Sequence, residues 1–318
     1  MKMEELDEVI DCIGGDRKVF YYFKDRYCLD MMLWEMKKIK KELLSISDLN
    51  QGRLKRFMSK PIVKEITQHC GDGFLEKDAI LYHRPKEMLS FTLTMDRWGD
   101  GDRAYDQTSR NQQNLVLQIN FDNKHNQQYR RLLNPSIDCG PFEYSCHPVR
   151  MDCRNTMSWV RIDLDLLAGE ALIEEVQNDW LREAAWGLSR VTKRRANRNS
   201  TKPSDIIYGV DCDYASLKEY VDVVLKPYRN IWAEISLHAA INFIREDLGI
   251  STIYYHTFDT GRKIKKIYGS PPKSMYTRLP KQFGFELTND APEFIKKDKV
   301  SKRYLKAIKK SQWYCLAV

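Results

Sequence analysis

The stretch Ala171-Leu172-Ile173-Glu174-Glu175-Val176-Gln177-Asn178-Asp179 decides how this chain is read. Its first six residues form a short, mostly apolar run, which reads as a deeply buried strand. Its polar end lies where open α/β sheets place their sites, beyond the carboxyl ends of the strands. Side-chain alternation predicts opposite faces for Glu174 and Glu175, one turned to a cleft and the other solvated.

The pattern extends on both sides of this strand. Upstream, Leu89–Met95, Asn114–Phe121 and Ser158–Leu164 alternate apolar with polar residues and read as half-buried strands. Downstream, a basic segment over 182–203 reads as a helix broken by Lys202-Pro203-Ser204. A helix over Trp232–Leu248 follows, with Gly249 as its stop, and then a strand over Ile250–His256. Pro272–Phe283 reads as a helix, 284–288 as a short strand and 293–310 as a terminal helix. The first 75 residues read as helices, one amphipathic through Leu29, Met32, Leu33, Met36, Ile39 and Leu43, another over Pro61–His69 capped by Ser59. The expected fold is therefore α/β (α+β), a mixed central sheet with flanking helices. A small helical subdomain over 1–75 precedes an α/β domain over 76–290 with a basic insert at 180–231, and a basic helix or tail covers 291–318.

Charge divides unevenly along the 318 residues. The net charge is +8, but 296–310 carries +7 and 182–203 carries +6, so the remainder is negative by five. Two basic patches on an acidic body favour local contact with a polyanion, either nucleic acid or a host protein complex. Lys193, Arg194, Arg195 and Arg198 in the insert, and Lys302, Arg303 and Lys306 in the tail, are the candidate contacts. Tyr304, Trp313 and Tyr314 interleave with the second group, where rings could stack on bases.

No apolar run approaches the length of a spanning helix and the acidic start is unlike a targeting peptide, so the expected location is cytoplasmic, with no membrane partner. Eight cysteines in a chain this long do not make a disulfide scaffold. Cys139, Cys146 and Cys153 recur every seven residues beside His147, yet no Cys-x-x-Cys exists, so no metal is expected. Asp96, Asp100 and Asp102 lack the downstream Glu of a calcium loop and read as a turn.

Two resemblances carry functional content. Leu172–Trp180, Lys226–Ala240, Ile253–Gly261 and Tyr276–Gly284, with Gln128–Leu133 and Asn155–Ile162 upstream, resemble a module of large polyvalent proteins of phages and mobile elements. That resemblance implies provenance, and host cytoplasm as the location, without implying an activity. The order strand, helix ending at Gly249, strand, then a helix holding Ser274–Leu279 before Phe283-Gly284-Phe285 is similar to the C-terminal half of the GNAT N-acyltransferases. This second resemblance implies Tyr276 as the acid for a leaving thiolate and Glu174 or Glu175 as the base. The family's Gln/Arg-x-x-Gly-x-Gly/Ala pyrophosphate turn is absent, so acyl-CoA is a candidate ligand lacking its usual binding loop.

The remaining candidates follow from position. His256 ends its strand as acid, base or polar wall, with Thr257, Asp259 and Arg262 beyond it. Gln177 and Asp179 either touch a ligand or cap the next helix. Lys226, Arg229 and Trp232 precede the central helix, where positive charge opposes the dipole and calls for an anion or a partner such as Asp179 or Glu234. No catalytic-triad signature, Walker loop or G-x-G-x-x-G occurs, which removes the serine hydrolase, P-loop and dinucleotide classes.

Overall fold

The computed structural model describes the chain apart from residues 14–17, 84, 100–105, 138–139, 150–154, 198–200, 268–270, 309 and 318. Ten strands are described: β1 (Lys18–Tyr22), β2 (Leu43–Ser45), β3 (Phe74–Glu76), β4 (Leu89–Trp98), β5 (Asn114–Phe121), β6 (Thr156–Asp165), β7 (Glu170–Gln177), β8 (Thr252–His256), β9 (Glu286–Thr288) and β10 (Trp313–Ala317). Eight of them form one sheet in the order β1-β4-β5-β6-β7-β8-β10-β9. Every pair is antiparallel except β7 and β8. The mixed central sheet with flanking helices is the architecture the strand and helix pattern predicts.

The antiparallel centre follows from short connections. β6 turns into β7 through residues 166–169, where Gly169 takes φ 65° and Ala168 N–H donates to Asp165 Oδ1 at 2.9 Å. β7 and β8 run parallel because some 75 residues, including the central helix Trp232–Asn242, cross between them. That helix packs on β6 and β7, and its Ser236 hydroxyl meets Ser158 Oγ at 2.8 Å. From Glu234 to Ile241 it is buried on all sides, as its apolar sequence requires.

Several expectations need correction. The first 75 residues are not all helical: β1 pairs with β4 at the edge of the main sheet, and β2 and β3 form a small ribbon. One continuous core joins Leu6 and Tyr27 to Leu316. Glu234, one of the alternatives offered as a partner for Lys226 or Arg229, instead accepts from Tyr22 Oη and Asp25 N–H, both at 2.7 Å, and from Gln282 at 2.8 Å. Ser59 caps nothing; its hydroxyl donates to the Arg56 carbonyl, and the helix Pro61–Thr67 opens from Lys60.

The tail differs most. In place of one helix over 293–310 there are two, Glu293–Lys297 and Lys299–Ala307, and β10 then lies between β8 and β9. Trp313 and Tyr314 are buried there and cannot stack on bases. Burying two large rings outweighs leaving the chain end free in water. Pro272–Phe283 likewise divides into two short helices, Lys273–Tyr276 and Arg278–Gln282. Asp96 lies within β4, while Asp100 and Asp102 fall outside the described residues.

Candidate active site at the split between two parallel strands

The β7–β8 ladder runs from Glu170↔Thr252 to Ile173↔Tyr255 and stops, while β7 continues four residues to Gln177. A cavity of about 600 Å3 opens there. It is walled by Glu175, Gln177 and Asn178 from β7 and its end, Arg182 from the next helix, Arg229 and Trp232 from the entry to the central helix, and Met275 and Tyr276 from the helix Lys273–Tyr276. Its size suits a small-molecule site.

β7 also carries a bulge. Arg161 pairs with Glu175 and Ile162 with Ile173, so Glu174 is left out of the ladder. A bulge re-aims side chains, and here the two carboxylates converge on the same cations, contrary to simple alternation. Arg161 binds Glu175 Oε2 through Nε (2.9 Å) and Nη2 (2.6 Å). Lys265 donates to the Glu174 carbonyl at 2.6 Å, with Nζ 4.0 Å from the Glu174 carboxylate. Neither Glu174 nor Lys265 is solvated: their side chains are fully buried, whereas Glu175 keeps 16% exposure toward the cleft.

Charge compensation makes this burial tolerable. Burial alone raises a carboxyl group, but the His256 hydrogen bond and the charges around it, Lys265 and Arg161 among them, hold Glu174 at about 2. Burial likewise raises Glu175, and Arg161 and Lys265 bring it below its usual range. Burial lowers Lys265 against the pull of Glu175 and Glu174. Two cations thus face two anions. Tyr276 is raised by its burial and then by Glu175, so its hydroxyl stays protonated at neutral pH.

His256 belongs to the closed side of this cluster. Its Nε2 lies 3.0 Å from Glu174 Oε2 and 2.8 Å from Ser109 Oγ, and Ser109 also gives its hydroxyl (2.8 Å) and N–H (3.0 Å) to Glu174. Burial pushes the imidazole down, toward the neutral form. The hydrogen-bond network then assigns the proton to Nε2, facing the carboxylate, and leaves the buried Nδ1 without a partner among the described residues. Ser109, His256 and Glu174 have the composition of a triad without its geometry, since serine and carboxylate share one ring nitrogen. His256 is fully buried and does not line the cavity, and of the two candidate bases Glu175 is the one on it.

The structure thus brings Glu175, Gln177, Arg229, Trp232 and Tyr276 together, and sets the other candidates aside. Asp179 is buried and bound to His147 Nδ1 at 2.5 Å and Arg182 at 2.7 Å. The cap of the following helix is Asn178, which accepts from Leu181 N–H at 2.9 Å. Lys226 is exposed away from the cavity wall. Thr257 caps the helix Phe258–Ile264 and donates to the Gln312 carbonyl; Asp259 and Arg262 lie exposed on that helix, with Arg262 over the Phe258 ring. Lys302, Arg303 and Lys306 are exposed on the helix Lys299–Ala307.

Arg161, Lys265, Ser109 and Arg182 are the residues that sequence reasoning missed. Arg161 left a trace, the one cation in the strand read over Ser158–Leu164; Lys265 is hidden among neighbouring lysines. Among the described residues no cluster of His, Cys, Asp and Glu could hold a metal. Cys139 and Cys153 lie outside those residues, and His147 is taken by Asp179.

In the turn before the central helix, Ile231 N–H is spent on Tyr228 O (3.1 Å), and Tyr228 and Arg229 N–H on Leu225 O (3.2 and 3.3 Å), so these three amides are not available to a coenzyme A diphosphate. What the wall presents to an anion is Arg182, already paired with Asp179 and Glu183, and Arg229, whose partners are Asp222 at 3.4 Å and the Val221 carbonyl. Compared with known families, curated proteins and solved structures, the chain matches none of them. No helix among the described residues is long and apolar enough to cross a membrane.

Proposed function

We propose that the cleft is the active site of an acyl-transferring enzyme built on the plan of the GNAT N-acyltransferases, with an amine as acceptor and a thioester as donor. The observation that carries the reading is the parallel ladder stopping at Ile173↔Tyr255, with Glu175 and Tyr276 both on the wall of the cavity beyond it. Attack of the amine nitrogen on the thioester carbonyl forms a C–N bond and breaks the C–S bond. Glu175, ionised beside Arg161, takes the proton shed by the nitrogen of the tetrahedral intermediate. Tyr276, kept protonated, gives its proton to the departing sulfur, and the two groups are reset through water. Arg182 and Arg229 meet the donor's negative charge with guanidinium groups. The resemblance to polyvalent phage and mobile-element modules supports the cytoplasm of an infected host as the setting of such an enzyme.

Thiol release from acetyl-CoA in the presence of a panel of primary amines tests this. Glu175→Gln and Tyr276→Phe are each expected to slow release about 10²–10⁴-fold, the usual contribution of a positioned acid or base. Release by the parent protein at the uncatalysed rate with every amine, together with no donor binding at millimolar concentration, overturns the reading.

A further inference from the structure

The helix Trp180–Asn197 turns Trp180, Leu181, Ala184, Gly187 and Val191 inward. Its outer face carries Trp186, Arg190, Lys193, Arg194 and Asn197, whose spacings of four, three, one and three residues place them in one stripe. All five are exposed, and the Trp186 side chain stands 56% open to solvent. A lone exposed ring is ordinary in itself; what sets this one apart is the row of cations that shares its stripe. The Arg190 guanidinium lies 4.5 Å from its centroid. Arg190, Lys193, Arg194 and Asn197 border a shallow groove of about 310 Å3 with Ile206. Among the described residues the ion pairs of this helix are those of Arg182 in its first turn, so the three cations along the groove meet no carboxylate. Arg195 is turned away, over Tyr214 at 4.7 Å with its guanidinium donating to the Thr201 carbonyl, and Arg198 lies outside the described residues.

We infer that this stripe is a binding surface for single-stranded nucleic acid, in which a base stacks on Trp186 and consecutive phosphates meet Arg190, Lys193 and Arg194. Cations that meet no carboxylate, beside a ring that Arg190 covers on one side and solvent reaches on the rest, supply the two contacts such ligands use. A duplex hides the faces of its bases, and an acidic peptide neutralises the cations while leaving the indole uncovered. The surface is separate from the cleft chemistry and stands whether or not the cleft transfers acyl groups.

Fluorescence anisotropy of a labelled oligo-dT of about 20 nucleotides is the test, since strands of that length exceed an ordinary site size. Three phosphate contacts give a slope of about −2 in log affinity against log salt, or roughly 20-fold weaker binding from about 50 to about 200 mM. Trp186→Ala is expected to weaken binding at least about five-fold and Trp186→Phe to retain most of it, as a stacking contact demands. Arg194→Gln lowers the slope by about 0.7. All four side chains are exposed, so circular dichroism melts of the variants should overlay the parent. Absence of binding at low salt, an unchanged slope in Arg194→Gln, or equal affinity for duplex DNA or polyglutamate overturns the inference.

Discussion

Replacing Glu175 by Gln removes one charge and almost no volume, and the structure says what that does to Arg161. The Arg161 side chain is 1% exposed, and its guanidinium is bound by Glu175 through Nε and Nη2 and by the Gln107 carbonyl at 3.3 Å. The nearby cation Lys265 and the anion Glu174 offset each other, so the variant leaves one buried positive charge without compensation. Breaking a buried pair from one side costs about 3–5 kcal/mol. In a chain of this size that corresponds to a Tm lower by about 6–10 °C, at about 2 °C per kcal/mol. Urea unfolding followed by far-UV circular dichroism reads the change as a shift in midpoint at constant slope. The double variant Arg161→Met, Glu175→Gln should recover much of the loss, because the cost lies in the orphaned charge and not in the missing contact. A loss below about 1 kcal/mol for Glu175→Gln, or a double variant worse than the single, refutes the two-cation, two-anion account of the site. Activity of the single variant is therefore to be measured well below its lowered midpoint.

Further expectations concern neighbouring groups. Glu174 has a folded pKa of about 2 against 4.5 for the ordinary carboxyl, so its contribution is present above pH 4.5 and is lost as pH falls toward 2. Glu174→Gln should therefore flatten the acid limb of stability against pH, and an equally steep limb argues against it. Trp180, buried against Phe121, Tyr129 and Phe142 with its indole N–H on Tyr220 Oη at 2.7 Å, anchors the helix that carries Arg182. Trp180→Ala should cost about 3–5 kcal/mol in denaturant titration, and a cost under about 1 kcal/mol would mean the helix is held elsewhere. Gly169→Ala, at φ 65° with open space around it, should cost about 1 kcal/mol from backbone strain alone, and no loss would contradict the left-handed turn.

The strands and the central helix were legible because their signals are local. Asn114–Phe121, the polar-ended run after Ala171 and the apolar helix closed by Gly249 each declare a period or a stop within a few residues. The cleft was legible to the same degree: Glu175, Gln177, Arg229, Trp232 and Tyr276 all sit at element ends, where strand and helix reading places them. What escaped depends on distant partners. The bulge at Glu174 exists only because β6 and β7 differ by one residue in register, and no residue type announces it. Lys265 looks like its solvated neighbours until the fold buries it beneath two carboxylates. β1 and β10 are five residues each and lie beside helical and basic segments, so their strand character comes from the sheet edges and gaps they fill. The basic insert became informative once its helix was phased, since Trp186 then falls in line with Arg190, Lys193 and Arg194 while Arg195 does not.

The cleft as an acyl-transfer site is tested most directly by calorimetric titration of acetyl-CoA into the full chain and into Arg229→Ala and Lys302→Ala. Saturable heat is expected from the parent and Lys302→Ala, with about ten-fold weaker binding for Arg229→Ala, the worth of one charge-assisted contact near 1.4 kcal/mol. No heat from the parent at millimolar ligand, or binding indifferent to Arg229 and abolished at Lys302, contradicts the assignment of this cleft.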